Sequence, residues 1–136
     1  MKNLLRNILR ILSKRVINRY QPVVVGITGS VGKTTAKEAV FAVLRKKFFV
    51  RKSEDNYNNE IGIPCVVLGI DPMDKHVDSS FKKTRFILEV IKSLWLVYGY
   101  PKSRYPSALV LELGADKPRD IAYLVEIVKP IIGVVT

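Results

Sequence analysis

A ten-residue segment, Gly26-Ile-Thr-Gly-Ser-Val-Gly-Lys-Thr-Thr35, has the composition of a loop that binds phosphate groups. It follows a β-branched apolar run at residues 23–27 and precedes a stretch with helical periodicity, which is the context such loops require. Backbone N–H groups of such a loop converge on phosphate oxygens, and its glycines allow the close approach. We expect the phosphates to contact eight consecutive residues: Thr28, Gly29, Ser30, Val31, Gly32, Lys33, Thr34 and Thr35.

Two side chains of this segment have separate expected roles. The Lys33 ammonium would reach the outer phosphates of a nucleotide, and the Thr34 hydroxyl would bind Mg²⁺. The strict pattern G-x-x-x-x-G-K-[ST] is not met, because Ile27 occupies its first position and Gly26 lies one residue earlier. The sequence therefore predicts a variant of the phosphate-binding loop.

Glu112 is the second candidate for site chemistry. It is the only charged residue in the apolar run 108–113 and stands near the C-terminal end of a predicted strand, where parallel sheets bind their ligands. A carboxylate there would complete a hard-oxygen Mg²⁺ site with Thr34. The alternative is a side chain that points outward or pairs with a nearby lysine, and the residues alone leave both open.

Strands and helices that would position these residues alternate along the chain. Apolar runs predict strands at residues 23–27, 48–50, 108–113 and 131–135, and helical periodicity predicts helices at residues 3–20, 33–46, 61–70, 81–98 and 118–128. The pattern predicts an α/β fold, a P-loop-like three-layer αβα domain with a mostly parallel sheet of about four strands, preceded by an N-terminal amphipathic helix. Because an apolar strand reaches Thr136 with no crossover after it, we expect this chain to be part of a longer protein.

The inner faces of two helices follow from the same periodicity. In residues 33–46 the stripe expected to face the sheet is Ala36, Ala39, Val40, Val43 and Leu44. In residues 81–98 the expected inner face is Phe86, Val90, Leu94 and Tyr98, with Ile87 and Ile91 beside it. The aromatic residues of this region indicate either helix packing or a surface that faces a partner or a membrane: Trp95, Tyr98, Tyr100 and Tyr105.

Composition limits the classes of function. The chain has 136 residues, enough for one domain, and its single cysteine, Cys65, excludes an internal disulfide and a cysteine-rich metal site. We expect Cys65 to be a small buried apolar residue in a protein of the reducing cytoplasm. The net charge is +11, concentrated in residues 1–52, so the partner of this half is expected to be anionic.

The basic helix at residues 1–21 has two interpretations. It covers the edge of the domain, or it lies on an anionic membrane, since it contains no acidic residue. A transit peptide fits less well because the segment has little serine, and no stretch is apolar enough to predict a spanning helix. No recognised motif supports nucleic-acid binding, and we expect no nucleic acid as a partner.

Three motifs, in order, resemble the Mur ligase family. Residues 27–38 are similar to the family's ATP-binding loop, T-G-x-x-G-K-[ST]-[ST], and Asn56-Tyr-Asn-Asn-Glu-Ile-Gly-Ile-Pro64 resembles the N-x-N-N-x-x-G-x-P segment of its UDP-N-acetylmuramoyl-tripeptide–D-alanyl-D-alanine ligase branch. Residues 110–115, Val-Leu-Glu-Leu-Gly-Ala, resemble that branch's E-[LM]-G-A segment. By this resemblance, residues 22–136 are the N-terminal part of a central ATP-binding domain, with a helical insertion at residues 71–106.

The resemblance implies an ATP-dependent amide ligase of peptidoglycan assembly, in which ATP activates a carboxylate of a UDP-muramyl-peptide as an acyl phosphate that an amine then attacks. Lys33 and Glu112 are the implied catalytic residues, Thr34 and Glu112 the implied Mg²⁺ ligands, and Asn58 and Asn59 would lie close to the nucleotide. Residues 1–21 stand where the family has a UDP-sugar-binding domain, and the family's further metal ligand, modified lysine and amino-acid domain would fall after Thr136. We therefore expect this chain alone to bind nucleotide without completing ligation.

Two other functions remain open. One is a different phosphate-loop enzyme, such as an ATPase, a kinase or a folylpolyglutamate-type ligase. The other is a non-catalytic nucleotide-binding module held at the membrane by residues 1–20.

Overall fold

The computed structural model describes residues 2–54, 57–70, 79–115 and 118–136. Its elements follow one another as α1 (Lys2–Tyr20), β1 (Val23–Thr28), α2 (Lys33–Leu44), β2 (Val50–Lys52), α3 (Gly62–Leu68), α4 (Ser79–Tyr98), β3 (Ala108–Glu112), α5 (Asp120–Val128) and β4 (Ile132–Val135). A short 3₁₀ turn, Lys102–Arg104, lies between α4 and β3.

The four strands form one parallel sheet in the order β2-β3-β1-β4. Strand β1 is central, and its register sets Ile27 opposite Glu112 and Thr28 opposite Val135. The C-terminal ends of β1 and β3 therefore lie side by side, which brings the start of the glycine loop next to Glu112. The predicted α/β fold with a parallel sheet is confirmed.

Helices cover both faces of the sheet. On one face, Val25, Ile27 and Val110 contact α2 through Ala36, Val40 and Leu44. Alternate strand residues point to the opposite face, where Val24, Leu109 and Leu111 form the larger core with α1, α3 and α5. Helix α4 packs outside this second layer, against α1 and α3.

Helix α1 is part of the larger core. Its buried side chains are Leu9, Leu12, Val16 and Ile17. On its flank, Arg6 pairs with Glu60 at 3.0 Å and Arg10 pairs with Glu126 at 2.7 Å. The packing supports the interpretation that α1 covers the domain. No helix among the described residues is both long enough and apolar enough to cross a membrane.

Some predicted details were wrong. Strand β2 begins at Val50, while Phe48 and Phe49 are exposed before it. On α2, Ala39 and Val43 point to solvent. The side of α2 that packs on the sheet includes the buried Lys37 in their place. The predicted loop at residues 71–80 falls largely on residues 71–78, which lie outside the described residues.

The inner face of α4 was also predicted wrongly. Phe86 and Val90 do pack inward, but the face continues through the buried Ser93 and Val97. Of the residues expected on or beside it, Leu94, Tyr98, Ile87 and Ile91 are exposed. The helix is apolar around most of its circumference, so periodicity alone did not distinguish the packed side from the outer side.

Candidate functional site

The loop between β1 and α2 is fixed against the end of β4. The Thr136 N–H donates to the Thr28 carbonyl oxygen at 2.9 Å, and the Ser30 N–H donates to the Thr136 carbonyl oxygen at 3.3 Å. Gly29 has φ of 139°, and a Cβ at this position would lie 2.1 Å from the Thr136 carbonyl oxygen. Both the backbone conformation and the available space therefore require glycine at position 29.

The other loop glycine, Gly32, is the N-cap of α2 and has φ of 84°. Since glycine carries no capping side chain, the first-turn N–H groups of α2 have no side-chain acceptor at the cap and face the loop. Lys33 extends back over the same loop, and its Nζ donates to the Gly29 carbonyl oxygen at 2.8 Å. Helix amides, the positive end of the helix dipole and an ammonium group thus lie together, as an anion-binding site needs.

Thr34 and Glu112 meet beside this loop. The Thr34 Oγ1 hydroxyl donates to Glu112 Oε2 at 3.1 Å, which joins the first turn of α2 to the last residue of β3. Two oxygens that bind Mg²⁺ at about 2.1 Å in adjacent octahedral positions lie about 3.0 Å apart. The spacing and the chemistry of these two oxygens therefore fit one shared cation.

Glu112 is held in place from three sides. Its backbone N–H donates to Ser53 Oγ at 2.9 Å, its carboxylate accepts from Thr34, and Lys37 Nζ lies 3.9 Å from Oε2. Only 9% of the residue is exposed. Both sequence-based alternatives for Glu112 are thus partly realised, because the carboxylate lies in the candidate site and also next to a lysine.

Lys37 is a site residue that the sequence analysis did not identify. It is 1% exposed, and besides Glu112 its Nζ lies 3.7 Å from Glu38 Oε1. Glu38 in turn accepts two hydrogen bonds from Lys52 Nζ, at 2.6 and 2.7 Å. Lys37 follows Thr34 by three positions on a helix, a spacing that puts both side chains on one face, and this signal was available in the sequence.

Ser53 was also missed. It is fully buried, and its N–H donates to the Val110 carbonyl oxygen at 2.9 Å, which extends the pairing of β2 with β3 by one residue. Its Oγ accepts the Glu112 N–H described above. A lone serine at the start of a polar loop gives no sequence signal for this role.

The asparagines lie at the same edge of the sheet. The Asn58 carbonyl oxygen accepts the Gly114 N–H at 2.7 Å, two residues beyond Glu112. The Asn59 Oδ1 accepts the N–H groups of Ile61 and Gly62, at 3.1 and 2.9 Å, at the start of α3. The side-chain oxygen of Asn59 thus has a structural role, and nucleotide contact by either asparagine stays a prediction.

A cavity of about 260 Å³ opens next to these asparagines. Its lining includes Asn58, Asn59, Gly114, Asp120 and Tyr123. Burial raises the pKa of the Tyr123 phenol, and Arg6 and Arg10 nearby oppose that shift. The cavity thus adjoins the residues that follow β3, through Gly114, and the start of α5, through Asp120 and Tyr123.

The remaining loop residues lie between the end of β1 and the first turn of α2. Thr28 ends β1, Thr35 lies in the first turn of α2, and the Val31 side chain is 82% exposed at the tip of the loop. The structure brings Lys33, Thr34 and Glu112 together at one end of the sheet. Nucleotide contact by these residues stays a prediction.

The chain is similar to known ligases in sequence. It is 33% identical over 107 residues to the UDP-N-acetylmuramoyl-tripeptide–D-alanyl-D-alanine ligase of Buchnera aphidicola from Acyrthosiphon pisum, covering 79% of this chain and 16% of that protein. It is 50% identical over 54 residues to the ligase of the same name from Synechocystis, covering 40% of this chain and 12% of that protein. The predicted resemblance to the Mur ligases is confirmed.

Solved structures of Mur ligases have the same fold. MurF from Acinetobacter baumannii matches 96% of this chain with a TM-score of 0.65 and 25% identity. The MurF ligase from Thermotoga maritima, solved in complex with ADP, matches 92% with a TM-score of 0.60 and 30% identity. The chain spans about one sixth or less of the length of the curated relatives and 22% of each of these two structures. No protein-family model matches the chain.

Proposed function

We propose that this chain is an ATP-binding portion of an ATP-dependent amide ligase of peptidoglycan precursor synthesis. The observation that carries the proposal is the Thr34–Glu112 pair, 3.1 Å apart, beside a loop whose glycine and lysine have the arrangement of a phosphate-binding site. The similarity to ligases of this class, one of them solved with ADP, supports the same assignment.

Each residue has a distinct part in this proposal. The first-turn amides of α2 and the loop amides hold the β- and γ-phosphates, and Lys33 moves from the Gly29 carbonyl oxygen to the outer phosphate oxygens. Mg²⁺, held by Thr34 and Glu112, would neutralise charge on the transferred phosphoryl group. Because phosphoryl transfer needs chiefly positioning and charge stabilisation, these residues contribute geometry and fixed charge to the step.

The complete protein would join an amine to the activated carboxylate of a UDP-muramyl-peptide-like substrate. The relatives' name specifies D-alanyl-D-alanine, which makes that dipeptide the first amine to test. An ATP requirement and a single, buried cysteine fit a protein of the reducing cytoplasm. Contact of residues 1–20 with an anionic membrane stays a prediction.

Calorimetric titration of the purified protein with ATP, with and without Mg²⁺, tests the proposal. We expect binding that depends on Mg²⁺ and that is lost in Lys33→Ala. The matched control is Lys46→Ala, since Lys46 is exposed in the turn after α2. Unchanged ATP binding in Lys33→Ala, or equal loss in both variants, would contradict the assignment of the loop.

Ligation is tested separately with a UDP-muramyl tripeptide, D-alanyl-D-alanine and ATP, followed by mass spectrometry of the products. We expect amide formation from a protein of the relatives' full length, and nucleotide binding without product from residues 1–136 alone. Activity with folate and glutamate in place of these substrates would favour the folylpolyglutamate-type alternative.

A further inference from the structure

The outward side of α4 carries a continuous apolar surface. Six large side chains there are 42–68% exposed: Ile87, Leu88, Ile91, Leu94, Trp95 and Tyr98. At 100° per residue they fall within an arc of about 120° on the helix. The core-facing side of α4 is separate and includes Val90, Ser93 and Val97. This helix therefore has one apolar face for the core and a second for which the described part of the chain provides no cover.

Helix α1 continues this surface. Leu4, Ile8 and Ile11 lie on one side of α1 and are 38–65% exposed, and Arg15 follows on the same side. An Arg15 guanidinium N–H donates to the Tyr98 hydroxyl at 2.8 Å, which joins the exposed stripe of α1 to the end of the stripe on α4. We call these nine apolar residues of α1 and α4 the outer apolar face.

Both segments that carry the outer apolar face are basic in sum. Residues 1–20 contain six basic residues and no acidic one, and residues 79–104 contain six basic residues and one acidic one. These segments carry +6 and +5. Residues 21–52, which include α2 on the opposite side of the sheet, carry a further +6, and the remaining residues carry −6. The outer apolar face therefore belongs to one of two basic regions of the chain.

We propose that the outer apolar face binds the surface of an anionic phospholipid bilayer. An amphipathic helix that combines exposed leucine, isoleucine and tryptophan with flanking basic residues lies in the headgroup region of such a bilayer, and each basic residue near the surface adds attraction to anionic lipid. Trp95 and Tyr98, 65% and 68% exposed, are the residue types that prefer this region. The proposal differs from membrane contact by residues 1–20 alone, because α4 supplies most of the apolar contact.

The placement of this face leaves the nucleotide site accessible. The loop opens into α2, which covers one face of the sheet, whereas α1 and α4 lie on the other side. A bilayer bound to α4 would therefore approach the domain from the side opposite α2. Membrane binding and nucleotide binding are independent in this arrangement, so either proposal can fail without the other.

Trp95 provides a direct test because it is the only tryptophan in the chain. The purified protein is titrated with vesicles of phosphatidylglycerol and phosphatidylcholine, and with vesicles of phosphatidylcholine alone, while tryptophan emission and co-sedimentation are measured. With the anionic vesicles we expect co-sedimentation, a blue shift of the emission and quenching by lipids that carry a quencher near the headgroup. Pure phosphatidylcholine or high salt should abolish most of the binding, because salt screens the basic residues.

Two variants separate the outer apolar face from other exposed apolar residues. Ile91→Ser combined with Leu94→Ser should lower vesicle partitioning by about tenfold or more and leave Trp95 in place as reporter. Val43→Ser is the matched control, since Val43 is 71% exposed on α2 at the opposite side of the domain, and it should bind vesicles like the parent. Circular dichroism and ATP titration of each variant confirm that the fold and the nucleotide site are intact.

Three results would overturn the proposal. One is the absence of co-sedimentation with anionic vesicles. Another is binding without any change in Trp95 emission, which would assign the contact to a different surface. The third is a concentration-dependent blue shift without lipid, accompanied by dimers in sedimentation equilibrium, which would assign the outer apolar face to a second copy of the protein.

Discussion

Replacing Gly29 by alanine should lower the free energy of unfolding far more than the same change at Gly32 or Gly133. Gly133 has ordinary φ and no atom within 4 Å of an added Cβ, so alanine there should leave stability unchanged or raise it by about 0.4–1 kcal/mol. Gly32 has φ of 84° and one contact at 3.9 Å, so alanine costs backbone strain alone, about 1–2 kcal/mol. Gly29 combines φ of 139° with a backbone oxygen 2.1 Å from the new Cβ. Backbone strain at position 29 and displacement of Thr136 together should lower the free energy of unfolding by about 2–5 kcal/mol.

Urea unfolding of the three variants measures these differences, and ATP titration measures their effect on the loop. The expected order of stability is Gly133→Ala, then Gly32→Ala, then Gly29→Ala. ATP affinity should fall most in Gly29→Ala, because relief of the contact with Thr136 requires the loop to move. If the unfolding free energy of Gly29→Ala lay within about 0.5 kcal/mol of Gly133→Ala, the assigned contact between the loop and the end of β4 would be refuted.

Three further changes test the candidate site, the start of α3 and the core. Lys37→Met should lower the unfolding free energy by about 1–3 kcal/mol, because Glu112 would stay buried without its neighbouring ammonium. Lys46→Met is the exposed control. Equal stabilities of the two variants in urea would contradict the stabilisation of Glu112 by Lys37. Asn59→Ala should cost about 1 kcal/mol through loss of the acceptor for the Ile61 and Gly62 N–H groups at the start of α3. Asn59→Asp, which keeps the acceptor, should cost less in the same assay. Burial raises the pKa of Tyr105, so the folded state retains a proton that the unfolded state releases from about pH 10 upward, and the unfolding free energy should fall as the pH rises above that value. Tyr105→Phe should show a smaller fall, because the raised pKa of Tyr123 still contributes. It should also lose about 1 kcal/mol at neutral pH with the hydrogen bond to the Val67 carbonyl oxygen, and an unchanged pH dependence in this variant would refute the assignment.

The fold was predictable because its signals are local. Each strand of the sheet is an apolar run between polar turns, and a parallel sheet with both faces covered requires such runs. The meeting of Thr34 with Glu112 was predictable for a related reason, since both follow or end strands at one edge of the sheet. These predictions needed no information about the shapes of individual side chains.

Lys37, Ser53 and the packed side of α4 were not predicted for a different reason. A lysine with a long apolar stem can be buried in one fold and exposed in another, and the sequence does not show which carboxylates will surround it. The side of α4 that packs inward depends on the shape of α1 and α3 rather than on α4 itself. Tertiary contacts decide these cases. The helical spacing of Thr34 and Lys37 shows that they share a face, but not that Lys37 is buried beside Glu112.

The pairing of β1 has a consequence for how the protein forms during synthesis. This central strand leaves the ribosome well before its two neighbours in the sheet, which begin at Ala108 and Ile132. Thr136, whose backbone fixes the glycine loop, comes later still, directly after β4. The nascent β1 must therefore wait with unpaired edges until those residues have been translated, a period in which it depends on protection from aggregation. The glycine loop is thus synthesised long before the residues that give it a fixed shape.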